Sequence, residues 1–242
     1  MPGDLTIARP WQPHRVGKQN ITASRLHFLI IDVGVRRPHQ AWTWPSWVSL
    51  TESDRKEITR FIRHTRQAVW HAGSPVRRCF ERIGHTVKED RSGSRVSLLT
   101  VYLNELFVRL LEMFRCKQVD LDESLATARQ TVELFWADVA SRVERLTEQW
   151  TVKKMAQRCG VSVSQFIHLS KGLYNRTPNK QLSRLRVERA ASLLAAEPER
   201  TVTDIALGLG FSSSQYFATV CLREMGCSPS ALRSLGQNAI VH

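Results

Sequence analysis

The chain has 242 residues, 42% of them hydrophobic, enough to bury one large core or two small ones and too apolar for an intrinsically disordered polymer. Lys and Arg number 35 against 22 Asp and Glu, a net charge of +13 that favours a polyanionic partner, either nucleic acid or an anionic membrane surface. No apolar run reaches the ~18 residues a membrane-spanning helix needs, and the N-terminus lacks a signal-peptide core, so a cytoplasmic protein with no membrane partner is expected. The five cysteines include no C-x-x-C pair, which argues against a zinc site or a disulfide framework and for reduced thiols.

Residues 1–50 read as extended. Ile21–Val35 is rich in β-branched and large apolar residues and predicts strands, followed by a Pro- and Trp-rich loop over Arg36–Trp47. Ser53 is a plausible N-cap for a helix carrying Ile58, Phe61, Ile62 and Val69 over Glu57–Trp70. Ser74-Pro75 opens a second helix, with Val76, Cys79, Phe80, Ile83 and Val87 on one face. Glu89–Ser94 is a turn, Arg95–Cys116 a strongly apolar helix, and Asp120–Asp122 a break. Another helix is predicted from about Ser124 to Arg145.

Beyond that point the chain repeats itself. Thr151–Ser170 and Thr201–Val220 align at a constant offset of 50, with identities at Thr151/Thr201, Val152/Val202, Ala156/Ala206, Gly160/Gly210, Ser162/Ser212, Ser164/Ser214 and Gln165/Gln215. Apolar matches pair Phe166 with Tyr216 and Ile167 with Phe217. A one-residue slip placed after this stretch aligns Thr177-Pro178 with Ser228-Pro229. Each copy reads as a Thr-capped helix, a glycine in the left-handed conformation past its end, and a serine that caps the next helix. Ser162 with Gln165, and Ser212 with Gln215, have capping-box spacing. Helix, glycine turn, cap, helix is a helix-turn-helix, present twice over 151–175 and 201–226. The connector from Pro178, through Leu182, Leu185, Val187, Ala190 and Leu194, is long enough to hold two modules apart. Between Lys153 and Arg189 nine basic residues meet one acid, Glu188, the footprint expected for phosphate neutralisation.

These residues resemble the DNA-binding domain of the AraC/XylS family of transcription regulators, most closely over Thr201–Arg233 and in the connector LRVERAASLL, with Arg186 and Ala190 in place. The resemblance implies a mainly α protein: a seven-helix double helix-turn-helix domain over 124–242, preceded by linker or dimerisation helices over 51–123. A short β-rich segment over 1–50 resembles the last strands of a cupin, and a full barrel needs more strands than it supplies. The implied function is sequence-specific DNA binding and transcription regulation, without catalysis or cofactor. The implied partners are double-stranded DNA, a second copy of the chain, a small-molecule effector and RNA polymerase. Carried over by position, Ser164, Ile167 and His168 face bases in the first module. Ser214, Gln215, Ala218 and Thr219 face them in the second. Lys153, Lys171, Arg176, Lys180, Ser212 and Ser213 face phosphates. Gln165 is assigned to capping, and Gln215 is open to either role. Ser170 and Cys221 stand where the family has core phenylalanines, Asn175 where it has a glycine, Leu232 where it has an aromatic, and His168 and Thr219 where it often has arginines. The first module is therefore expected to be the less stable one and the weaker reader.

Two other functions fit the same charge. A DNA-binding alkyl-transfer repair protein needs an activated cysteine, whereas Cys79 falls on an apolar helix face. A non-specific nucleic-acid binder would act through charge alone. His14, His27 and His39 lack ligand spacing, so no metal is expected.

Overall fold

The computed structural model describes residues 4–12, 27–117 and 119–240, with side chains through residue 234. It divides into two compact units, residues 1–130 and 131–242.

In the first unit, strand β1 (Asp4–Thr6) pairs antiparallel with β2 (Val69–His71), Leu5 opposite Trp70. Helices α1 (Glu52–His64), α2 (Ser74–Glu89) and α3 (Val96–Cys116) carry the core. α3 buries Leu106, Phe107, Leu110, Leu111 and Phe114, a helical-period stripe, against Ile58 of α1 and Val76 and Cys79 of α2. Phe114 packs edge-on against Trp70, with ring centroids 5.2 Å apart. At the rim Arg115 donates to Asp54 at 2.7 Å and to Glu57 at 2.5 Å, tying α3 to α1.

Several expectations need correction here. The strand reading of Ile21–Val35 fails where it can be seen: residues 27–35 are irregular, and residues 13–26, with His14, lie outside the described part. Val33 and Val35 are buried without a ladder, while Phe28 and Ile30 are exposed; β propensity yields a strand only where a partner edge is available. The strands that do form among the described residues are β1 and β2, the latter cut from residues expected to continue α1. The cap of α1 is Thr51, not Ser53, and its hydroxyl accepts from the Asp54 amide. Val87 is 56% exposed, and Thr86 takes the inward position. The helix expected over 124–145 is split into a 3-10 turn (Glu123–Ala126), α4 (Ala128–Ser141) and α5 (Val143–Thr147). Thr127 caps α4 by accepting from the Gln130 amide at 3.1 Å.

The second unit continues with α6 (Val152–Cys159), α7 (Val163–Tyr174), α8 (Pro178–Ala196), α9 (Val202–Gly208), α10 (Ser214–Met225) and α11 (Pro229–Ile240). It has two cores on one spine. Leu182 of α8 joins Val132, Phe135, Trp136, Met155 and Phe166, whereas Val187, Ala190 and Leu194 join Ile205, Leu209, Phe211, Phe217 and Val220. One 19-residue helix thus serves both helix-turn-helix modules, so its length sets their separation.

Candidate nucleic-acid interface

The two turns are built by the same backbone bonds. Gly160 (φ 65°) and Gly210 (φ 82°) are left-handed. The Val161 amide donates to Ala156 O and the Phe211 amide to Ala206 O, each at 3.1 Å. The glycine amides close the inner bonds to Gln157 O and Leu207 O, each at 3.0 Å. This is a Schellman closure, and only glycine adopts its left-handed position without steric cost. Thr151 and Thr201 cap the preceding helices through the Lys154 and Asp204 amides.

After the turns the register of the repeat changes. Ser162 caps α7 by accepting from the Gln165 amide at 3.2 Å, but the cap of α10 is Ser213, accepting from Tyr216 at 3.1 Å. The Ser212–Gln215 capping box is therefore not formed. From the cap onward the offset is 51. Phe166 corresponds to Phe217, both fully buried, and Asn175 (φ 51°) to Gly226 (φ 75°) as left-handed C-caps. The extra residue is Ser212, in the turn and not after the recognition helix. Tyr216 is accordingly 48% exposed and not a core residue, and the counterpart of Gln165 is Tyr216 rather than Gln215.

The corrected register makes the outward faces equivalent: Ser164, Ile167 and His168 on α7 match Gln215, Ala218 and Thr219 on α10. Ser164, His168, Gln215 and Thr219 are exposed, and Ile167, Ser214 and Ala218 are half-buried. The Thr219 hydroxyl donates to Gln215 O at 3.1 Å. Sequence reading missed Tyr216 on this face; its signal was the adjacent Phe217, since only one of two neighbouring aromatics can point into the core of a helix.

The cationic candidates divide into two kinds. Lys153, Lys171 and Lys180 are exposed and make no ion pair among the described residues. Arg176 is engaged: its Nη1 donates to Glu224 Oε2 at 2.9 Å, and the Glu224 side chain is only 5% exposed. Ser213 spends its oxygen on the α10 cap, and Ser212 is exposed. The second module is poor in free cations, because Arg223 also pairs with Glu224, at 3.0 Å. The basic excess of the whole chain lies more in residues 1–130 than in the helix-turn-helix unit.

Arg186 of α8 holds the second turn in place. It donates to Leu146 O (2.8 Å), Glu148 O (3.0 Å) and Gly210 O (2.9 Å). Burial pushes its guanidinium below the usual value, and three carbonyls satisfy it in place of water. Ser170 and Cys221 are both buried, and the Ser170 hydroxyl accepts from Trp136 Nε1 at 3.2 Å. Burial pushes the Cys79 thiol up and the Cys221 thiol to about 11, the reverse of an activated nucleophile. Among the described residues no three His, Cys, Asp or Glu side chains are grouped to hold a metal, and no helix is long and apolar enough to cross a membrane.

A helix-turn-helix domain family model matches residues 155–234. The virulence regulon transcriptional activator VirF of Yersinia enterocolitica is 32% identical over 90 residues, 37% of this chain and 33% of its own length. The HTH-type transcriptional activator RhaS of Escherichia coli (strain SE11) is 29% identical over 128 residues, 53% of this chain and 44% of its own length. The chain thus aligns with a third to under half of these curated relatives. A solved DNA-binding domain of the global transcriptional factor AdpA, in complex with a target DNA, is 27% identical, with a TM-score of 0.41, covering 45% of this chain and 95% of that one. With its paired turns and shared spine, the second unit thus carries, over residues 155–234, a helix-turn-helix domain of AraC type.

Proposed function

We propose that this protein is a sequence-specific transcription regulator that lays α7 and α10 into successive major-groove segments of one DNA duplex. The observation that carries the reading is the equivalence of the two outward faces once the register is corrected, each presented by a capped helix behind a Schellman turn. Ser164, Ile167 and His168 read one block of bases, and Ser214, Gln215, Ala218 and Thr219 the other. Gln215 suits a bidentate contact to adenine, and Ala218 and the Thr219 methyl suit a thymine methyl. Lys153, Lys171 and Lys180, with the Ser212 and Ser213 hydroxyls, neutralise or bind phosphates. The first module supplies most of the electrostatic hold, and the second reads with little charge of its own. The protein acts in the cytoplasm, as a homodimer, on RNA polymerase at its promoters, and its first unit hosts effector control.

Selection of bound sequences from a random DNA library, with the purified chain, tests this. The expected product is a composite site of two blocks about one helical turn (~10 bp) apart. His168→Ala should relax preference in one block only. Lys171→Ala should weaken binding to all sequences and lower the salt slope by about one. Recovery of unenriched DNA would overturn the reading in favour of non-specific binding.

A further inference from the structure

The two helix-turn-helix modules are tied to each other at both ends of α10. At its start the tie is Arg186 of α8. It donates to the carbonyls of Leu146, a member of the first core, and of Glu148, and also to Gly210 O in the second turn. At the far end Glu224 accepts from Arg176 Nη1 at 2.9 Å. Arg176 directly follows Asn175, the left-handed C-cap of α7, and Glu224 lies just before Gly226, the left-handed C-cap of α10. The ion pair thus joins the C-terminal ends of the two recognition helices.

This second tie is side chain to side chain and largely enclosed. The Glu224 side chain is 5% exposed and that of Arg176 is 32% exposed. Arg223 meets the other carboxylate oxygen at 3.0 Å, but it stands on α10 itself, so it balances charge without linking the modules. Ion pairs withdrawn from water add little net stability over apolar packing, and their best-attested use is to select one register over another. The spine leaves such a selection to be made. Long helices are seldom straight, so the 19 residues of α8 set how far apart the modules stand more firmly than the angle between them.

We infer that Arg176 and Glu224 are positioning residues that fix the two recognition helices at one mutual angle, and so restrict the protein to one spacing between its two blocks of bases. The inference rests on the two-groove reading proposed above. One added base pair moves a block by about 3.4 Å along the duplex and about 34° around it. A rigid pair of helices then loses one set of base contacts, whereas a loosened pair follows the displaced groove.

Electron-resonance distance measurement and a spacing series test this on the full chain. Nitroxides are attached through a ketone-bearing residue introduced at exposed Lys154 and Ser230, which leaves the native cysteines untouched. Without DNA the otherwise unaltered chain should give one narrow distance distribution. Arg176→Ala should broaden it, and the exchanged pair, Arg176→Glu with Glu224→Arg, should narrow it again. The selected composite site is then offered with zero, one or two extra base pairs between its blocks. One extra pair should weaken wild-type binding at least ~tenfold, a ratio worth about 1.4 kcal/mol. Arg176→Ala should cut that penalty to about threefold or less, and the exchanged pair should restore it. Affinity for the best spacing should also fall in Arg176→Ala, because pre-organisation is lost. Glu224→Gln, which keeps the shape and removes the charge, should match Arg176→Ala in both readouts, and circular dichroism checks that each variant is folded.

A broad wild-type distribution, or a width or spacing penalty unchanged by Arg176→Ala, would overturn the inference. An equal loss of affinity at every spacing, not restored by the exchanged pair, would overturn it in favour of a phosphate contact by Arg176. A chain that is rigid without DNA yet indifferent to spacing would overturn the two-groove reading and this inference with it.

Discussion

Arg176, in the turn that leaves the first recognition helix, donates at 2.9 Å to Glu224 in the last turn of the second. The pair is a direct side-chain link between the two helix-turn-helix modules, beside the covalent link through α8. The nearly enclosed Glu224 carboxylate depends on Arg176 and Arg223 for its counter-charge.

Arg176→Ala should therefore behave differently from Lys171→Ala. Loss of one partner of a largely buried pair destabilises, here by about 1–2 kcal/mol because Arg176 is itself part-exposed. Its guanidinium is held by Glu224, a carboxylate it shares with Arg223, so the salt slope of DNA binding should fall by less than it does for Lys171→Ala. Urea melts and a salt titration check the two halves. A slope lowered by a full phosphate contact would return Arg176 to the phosphate-binding set.

A side chain should be tolerated less at Gly210, in the second turn, than at Gly226, the left-handed C-cap of α10. A Cβ at Gly210 would meet Arg186 Nη2 at 2.7 Å and Thr147 O at 3.2 Å, on top of a left-handed φ. At Gly226 nothing lies within 4 Å. Gly226→Ala should cost about 1 kcal/mol, the price of the backbone conformation alone. Gly210→Ala should cost about 3 kcal/mol, because the Arg186 guanidinium must leave its carbonyls. Denaturant unfolding of the two variants measures the difference.

Ser170 has a structural partner in Trp136 that accounts for its small size. Ser170→Ala should cost about 1–2 kcal/mol by leaving the buried indole N–H without an acceptor. Ser170→Phe restores the residue usual in the family, yet should destabilise by about 1–3 kcal/mol, because Trp136 already fills that space. Thermal melts of both variants check this, and a more stable Ser170→Phe would refute the packing argument.

The thiols give a pH signature. Cys221 is held protonated up to about 11 by burial, well above the value of an unfolded thiol. A raised folded pKa adds stability below the unfolded value and loses it as pH climbs towards the folded one. Stability should therefore fall between roughly pH 9 and pH 11, and Cys221→Ala should flatten part of that fall. Native alkylation followed by mass spectrometry should label exposed Cys116 and part-exposed Cys227, and spare buried Cys79, Cys159 and Cys221. Rapid labelling of Cys79 would reopen the alkyl-transfer reading.

The helix-turn-helix pairs were legible because their signals are local. A glycine past a helix end and a serine before the next act within a few residues, and Gly160, Ser162 and Gly210 do what their neighbours demand. The register of α10 was not legible in the same way. Three consecutive serines offer three equivalent caps, and the choice fell to burial: Phe217 fills the core only if Ser213 is the cap. Arg176 shows the same limit: its pairing with Glu224, 48 residues away, cannot be read from the residues beside it.

The sequence by itself determined the class of the second unit, through periodicity, caps and left-handed glycines, all properties of short stretches of chain. Only the tertiary structure decided which aromatic turns inward, which cations are free, and that residues 27–35 form no strand. Those outcomes depend on what lies opposite each residue, and the energies that settle them, burial and ion pairing, act between segments far apart in the chain.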